Sequence, residues 1–78
     1  MKLPRGVSGD RLIRALARLG YTVIRQKGSH VRLRHEGTPV HTITVPSHEA
    51  LKSGTLHSIV SEVAEKRSVT MESILQLL

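Results

Sequence analysis

Residues 30–35, His30-Val31-Arg32-Leu33-Arg34-His35, alternate imidazole or guanidinium with aliphatic side chains, and this constrains the fold more than any other feature of the chain. Successive side chains of a strand point to opposite faces, so Val31 and Leu33 share one side while His30, Arg32 and Arg34 share the other. Such a strand needs an apolar layer on one side and solvent or a polyanion on the other. Two neighbouring runs also have strand character, Tyr21–Lys27 and Val40–Val45, joined to it by Gly28-Ser29 and by Glu36-Gly37-Thr38-Pro39. Links this short predict an antiparallel meander. In the third run Ile43 and Val45 face the core and Thr42 and Thr44 face outward, with Pro46 ending the strand. The first run is ambiguous, because Tyr21 and Val23 share parity with Arg25 and Lys27.

Helical periodicity flanks the meander. Ser8 can cap a helix from about Gly9 to Leu19, with Gly20 as its stop. Leu12, Ile13, Leu16, Ala17 and Leu19 form its apolar side, and Arg11, Arg14 and Arg18 a separate stripe that reads as a solvated face. A second helix runs from Gly54-Thr55 to about Lys66, with Leu56, Ile59, Val60, Val63 and Ala64 at the spacing of a helix laid on a sheet. A short last helix follows Thr70. The Met1–Val7 start reads as an arm or as disordered. The order helix, three strands, helix predicts a two-layer α+β domain over residues 1–78, laid out like a double-stranded-RNA-binding domain, with both long helices on one sheet face and the other face open.

Charge says which ligands suit the open face. Residues 1–35 hold nine Lys/Arg against one acid, Asp10, whereas residues 36–78 hold three against five. A one-sided cationic surface attracts nucleic acid, anionic membrane or an acidic protein. With Tyr21 as the lone Phe, Trp or Tyr residue, the chain lacks the aromatic platform on which single-strand binders stack bases. There is no cysteine, hence no disulfide or thiolate metal site. No signal-peptide or membrane-spanning stretch is evident, so we expect a soluble cytoplasmic protein.

Five histidines raise the question of a metal. None is paired at i, i+4 on a helix and no carboxylate cluster accompanies them, so no metal or other cofactor is expected. Metal-free acid–base chemistry fits better, since histidine exchanges protons near neutrality. RNA is the matching substrate: a base frees the 2′-hydroxyl to attack the adjacent phosphate, an acid protonates the leaving 5′-oxygen, and cations stabilise the extra charge. His30 stands at the start of a strand, with Arg32 and Arg34 on its face and Lys27 beside it, and Gly28 lets the backbone turn sharply and approach a phosphate. The same four residues, Lys27 to His30, also suit a plain polar hairpin turn. His35 shares parity with Val31 and Leu33, and His41 with Ile43, so both read as edge or packing residues; His57 reads as surface.

An ordered set of motifs between Ser8 and Leu78 resembles the HicA (YcfA-like) family of toxins. It comprises Leu19-Gly20-Tyr21, then Arg25-Gln26-Lys27-Gly28-Ser29-His30, then Val45-Pro46 with His48, Leu51-Lys52 with Gly54-Thr55-Leu56, and Ile59. The resemblance implies a small mRNA-cleaving domain with a double-stranded-RNA-binding-type fold, paired with a HicB-type antitoxin that covers its active site. It carries the catalytic role to His30 and a supporting backbone role to Gly28 and Ser29, and Arg25, Lys27, Arg32 and Arg34 become the phosphate-gripping residues. His48 is then the first candidate for a second acid/base group or phosphate contact; the alternative is that it bonds its own loop or caps the second helix. Two rivals remain open, a non-catalytic double-stranded-RNA-binding module and a protein-interaction domain with an acidic partner.

Overall fold

The computed structural model describes residues 2–78. It is an α+β fold in the order α1 (Gly9–Arg18), β1 (Thr22–Lys27), β2 (His30–His35), β3 (His41–Pro46), α2 (Ser53–Arg67) and α3 (Met71–Leu75). The three strands form one antiparallel sheet in the order β1-β2-β3. Helix, three-stranded antiparallel sheet and helix, with a short C-terminal helix, is an arrangement consistent with the double-stranded-RNA-binding-domain layout.

Each helix begins or ends where its sequence gives the backbone a partner. Ser8 is extended, and its Oγ accepts the Arg11 N–H at 3.0 Å, which satisfies one of the donors a helix N-terminus leaves free. At α3, Thr70 Oγ1 accepts the Ser73 N–H at 3.1 Å and Ser73 Oγ donates to the Thr70 carbonyl at 2.7 Å. α2 has Lys52 as its N-cap residue, with no side-chain cap bond, and Ser68 as its C-cap, in the left-handed region at φ 54°. The expected boundaries shift by a residue or so: α1 stops at Arg18 with Leu19 as its C-cap, and α2 starts at Ser53 and runs to Arg67.

The core lies between the helices and the inner sheet face. Leu12, Ala15 and Leu16 of α1, the full predicted stripe of α2, and Ile74 of α3 are buried against Val31, Leu33, Ile43 and Val45. Burying one such aliphatic side chain contributes about 1.5–3 kcal/mol. The N-terminal segment joins this layer rather than forming an arm: Val7 is buried, its carbonyl accepts the Leu51 N–H at 2.7 Å, and Leu3 packs at the margin. Met1 lies outside the described residues.

Two strand details differ from expectation, and both shape the open face. The third strand is His41–Pro46, not Val40–Val45; Val40 is left outside and exposed, and Pro46 pairs with His30 as the last residue of an edge strand. Proline is tolerated there because an edge strand has one unpaired side. The first strand starts at Thr22, one residue after the buried Tyr21, and every residue in it is exposed. Its ladder carries an irregularity between Val23 and Arg25. Ile24 is the extra residue of a β-bulge, and one extra residue reverses the parity of everything after it.

Candidate active site

The bulge at Ile24 resolves the ambiguous parity of β1. Before it, Thr22 lies opposite Arg34 and Val23 opposite Leu33; after it, Arg25 lies opposite Arg32 and Lys27 opposite His30. Side chains directly opposite one another share a face. Tyr21 therefore turns into the core while Arg25 and Lys27 turn outward, although all three are odd-numbered. With β3 added, the open face carries three cross-strand rows: Lys27–His30–Pro46, Arg25–Arg32–Thr44 and Thr22–Arg34–Thr42.

His30 sits in the first row, exposed, and its imidazole makes no hydrogen bond among the described residues. Both ring nitrogens are thus free to meet a ligand. The residues before it form a two-residue hairpin turn in which Gly28 adopts φ 58° and no other atom lies within 4 Å of where a Cβ would stand. Ser29 stays at negative φ, since Ser68 is the one non-glycine residue at positive φ among those described; glycine first and ordinary backbone second is the sign pattern of a type II′ turn. Open space over Gly28 leaves its backbone approachable.

In the second row two guanidiniums stand opposite each other. Like charges so placed repel, and neither Arg25 nor Arg32 has a carboxylate partner among the described residues. A phosphate between them would relieve that repulsion. Arg32 Nη2 also donates to Thr42 Oγ1 at 3.3 Å. Arg34 differs: its Nε is ion-paired with Glu36, and it lies about 13 Å along the strand from His30 at 3.3 Å per residue. The structure thus gathers Arg25, Lys27 and Arg32 around His30, with Arg34 on the same face but at the far end and partly neutralised. Arg34 and Glu36 share strand parity, a signal that the sequence did contain.

His48 comes to the same end of the sheet through its backbone. The Ser47 N–H donates to the Ser29 carbonyl at 2.6 Å, and the His48 carbonyl accepts the Gly9 N–H at 2.9 Å. Ser47-His48 is therefore clamped between the hairpin turn and the start of α1. A Cβ on Gly9 would fall 1.9 Å from the Pro46 carbonyl oxygen, so only glycine allows this approach. The His48 side chain is exposed and neither bonds its loop nor caps α2 among the described residues.

Of the remaining histidines, His41 and His35 are structural. His41 is buried, with Nδ1 2.6 Å from Tyr21 Oη and Nε2 2.7 Å from Glu62 Oε2. His35 holds the opposite end of the sheet, its Nε2 2.9 Å from the Leu19 carbonyl and its Nδ1 accepting the Gly37 N–H at 2.9 Å, with Arg67 against the same nitrogen. His57 is exposed on α2. Burial pushes the Tyr21 phenol above its usual 10, with Arg67 opposing and Glu62 adding to the shift. Neither Glu62 nor Arg67 was anticipated as a partner of these histidines, because no periodicity links α2 to the strand ends. Among the described residues no three His, Asp or Glu side chains converge closely enough to hold a metal ion.

Residues 9–65 match the family model described as the HicA toxin of bacterial toxin-antitoxin systems. The chain belongs to the HicA toxin family. No curated protein and no solved structure matches it. The matched span of this HicA chain opens at the first residue of α1 and closes within α2, so it contains the whole sheet, the Gly28-Ser29 turn, His30 and His48. Family membership makes the protein the toxin half of a toxin–antitoxin pair and implies an antitoxin partner. No helix among the described residues is long and apolar enough to cross a membrane.

Proposed function

We propose that this HicA toxin is a metal-independent endoribonuclease that cleaves mRNA, with His30 as a catalytic proton-transfer group. The observation that carries this reading is the row and column of cations around His30. Lys27 lies directly across the strand pair, and Arg25 and Arg32 form the next row on the same exposed face. A histidine free at both nitrogens and ringed by unpaired cations suits a phosphodiester whose charge rises in the transition state.

The chemistry follows from the substrate. A base takes the proton of the ribose 2′-hydroxyl, its oxygen bonds to the adjacent phosphorus, the bond to the 5′-oxygen breaks, and an acid returns a proton to that oxygen. The products are a 2′,3′-cyclic phosphate and a 5′-hydroxyl. His30 serves as base or acid, and Arg25, Lys27 and Arg32 hold the phosphate, with Arg34 a weaker contact because Glu36 occupies it. Gly28 and Ser29 shape the approach. His48, brought to the same sheet end by the Ser47–Ser29 bond, is the first choice for the second proton-transfer group. A HicB-type antitoxin would restrain the toxin by covering the His30 face.

Incubating the purified protein with end-labelled RNA tests the reading. We expect cleavage that persists in EDTA, ends in a cyclic phosphate, and fails at a site carrying a 2′-deoxy sugar. Binding without products would instead favour a non-catalytic double-stranded-RNA-binding module, and loss of all cleavage in EDTA would require a metal.

A further inference from the structure

The arginines of α1 stand outside the site described so far. Arg11, Arg14 and Arg18 are all exposed, and none forms an ion pair among the described residues, although Asp10 lies one turn before Arg14. At 1.5 Å rise per residue the three heads are spread over about 10 Å of helix. They line a shallow depression together with Leu77 and Leu78. An unneutralised cationic ridge with a concave flank differs from a solvated face in which charges of both signs alternate.

α1 packs on the inner side of the sheet, whereas His30 is on the open side. The two surfaces meet at one place. Ser29 of the hairpin bonds Ser47, and His48 bonds Gly9 at the first residue of α1, so Arg11 follows this corner by two residues. The Arg11 end of α1 therefore adjoins the corner that joins it to the hairpin, where Asp10 and Glu49 are exposed as well.

We propose that the Arg11–Arg14–Arg18 ridge is a second RNA-contact surface, gripping the phosphate backbone of the strand on one side of the cleaved bond. This rests on the ribonuclease reading above and extends it. Adjacency of the α1 start to the hairpin favours RNA over an acidic segment of the antitoxin as the occupant, because a strand leaving the site is already at the corner. A ridge so used adds affinity for long strands and nothing for a fragment that ends within the hairpin site.

The test uses the triple variant Arg11→Gln/Arg14→Gln/Arg18→Gln. Glutamine has nearly the helix propensity of arginine, and the three positions are exposed. Binding of a long single-stranded RNA is measured against salt in the His30→Ala background, so that the strand is not cut. Each phosphate contact on a single strand contributes about 0.7 to the slope of log K against log salt. Loss of three contacts lowers the slope by about 2, so between 50 and 200 mM salt the parent loses roughly 20-fold more affinity than the triple variant. A strand too short to leave the hairpin should give both proteins the same slope. Arg14→Glu alone should weaken long-strand binding more than Arg14→Gln, which keeps the proposal falsifiable should the triple variant fail to fold.

Unchanged long-strand slope and affinity would overturn the ridge while leaving the ribonuclease reading intact. Weakened antitoxin binding with an unchanged RNA slope would also overturn it and assign the ridge to the protein partner. If the wild-type toxin neither binds nor cuts RNA, both readings fall.

Discussion

Replacing Tyr21 by Phe removes one oxygen from the most enclosed polar network in the molecule. The ring is 1 % exposed, and its Oη lies 2.6 Å from Nδ1 of His41, itself 6 % exposed. A neutral imidazole protonated on Nε2 satisfies both of its contacts, donating to Glu62 and accepting from the phenol. Tyr21→Phe leaves that Nδ1 buried without a donor, which costs about 1–3 kcal/mol. No cavity forms because the ring stays, whereas truncation to Ala would cost about 3–5 kcal/mol. For a chain of this length, 1 kcal/mol moves the thermal midpoint by about 4–8 °C. The chain has no tryptophan, so urea unfolding is best followed by far-UV circular dichroism. A cycle with His41→Leu isolates the bond: removing both partners should cost less than the two single changes together, by about 0.5–3 kcal/mol. A Tyr21→Phe protein destabilised by clearly less than about 1 kcal/mol, the low edge of its expected cost, or a strictly additive cycle, would refute the buried bond.

Tyr21 also gives a direct optical test, since it is the one tyrosine and there is no tryptophan. Burial raises its pKa above the usual 10, with Arg67 opposing and Glu62 reinforcing the shift, so phenolate absorbance of the folded protein should appear at higher pH than for the unfolded chain. The unfolded phenol ionises first, so stability present below pH about 10 should be lost as pH rises toward the folded value; an unshifted midpoint would contradict the burial. Gly9→Ala should destabilise strongly, because its Cβ would stand 1.9 Å from the Pro46 carbonyl oxygen and must push α1 off the Ser47-His48 corner. A thermal midpoint equal to wild type would show that this approach is looser than described.

The sequence was most legible where one periodicity met one environment. The α2 stripe from Leu56 to Ala64 and the Val31/Leu33 alternation in β2 lie under a single apolar layer, so period alone identified their buried faces. β1 was opaque for a physical reason. A bulge depends on which residue is squeezed out of a ladder formed with a partner strand, and nothing local marks Ile24 as that residue. Pro46 misled through its usual role as a strand stop, which the end of an edge strand relaxes. Val23 and Ile24 are exposed because the helices pack over β3 rather than over β1, which no property of β1 announces. At the candidate site, the shared face of His30, Arg32 and Arg34 was readable from alternation. The alignment of Arg25 and Lys27 with them required the bulge, and the tie between the hairpin and His48 required the backbone bonds at Ser47 and Gly9.

We propose that His30 moves a proton during RNA cleavage, and single-turnover cleavage by a folded His30→Ala protein reports on that step. Positioned general acid–base groups contribute about 10²–10⁴-fold in rate, and the exposed imidazole has no structural bond to lose among the described residues. The rate should therefore fall by at least about 100-fold, with far-UV circular dichroism and thermal midpoint unchanged. Cleavage by His30→Ala at the wild-type rate would mean that His30 is not the proton-transfer group.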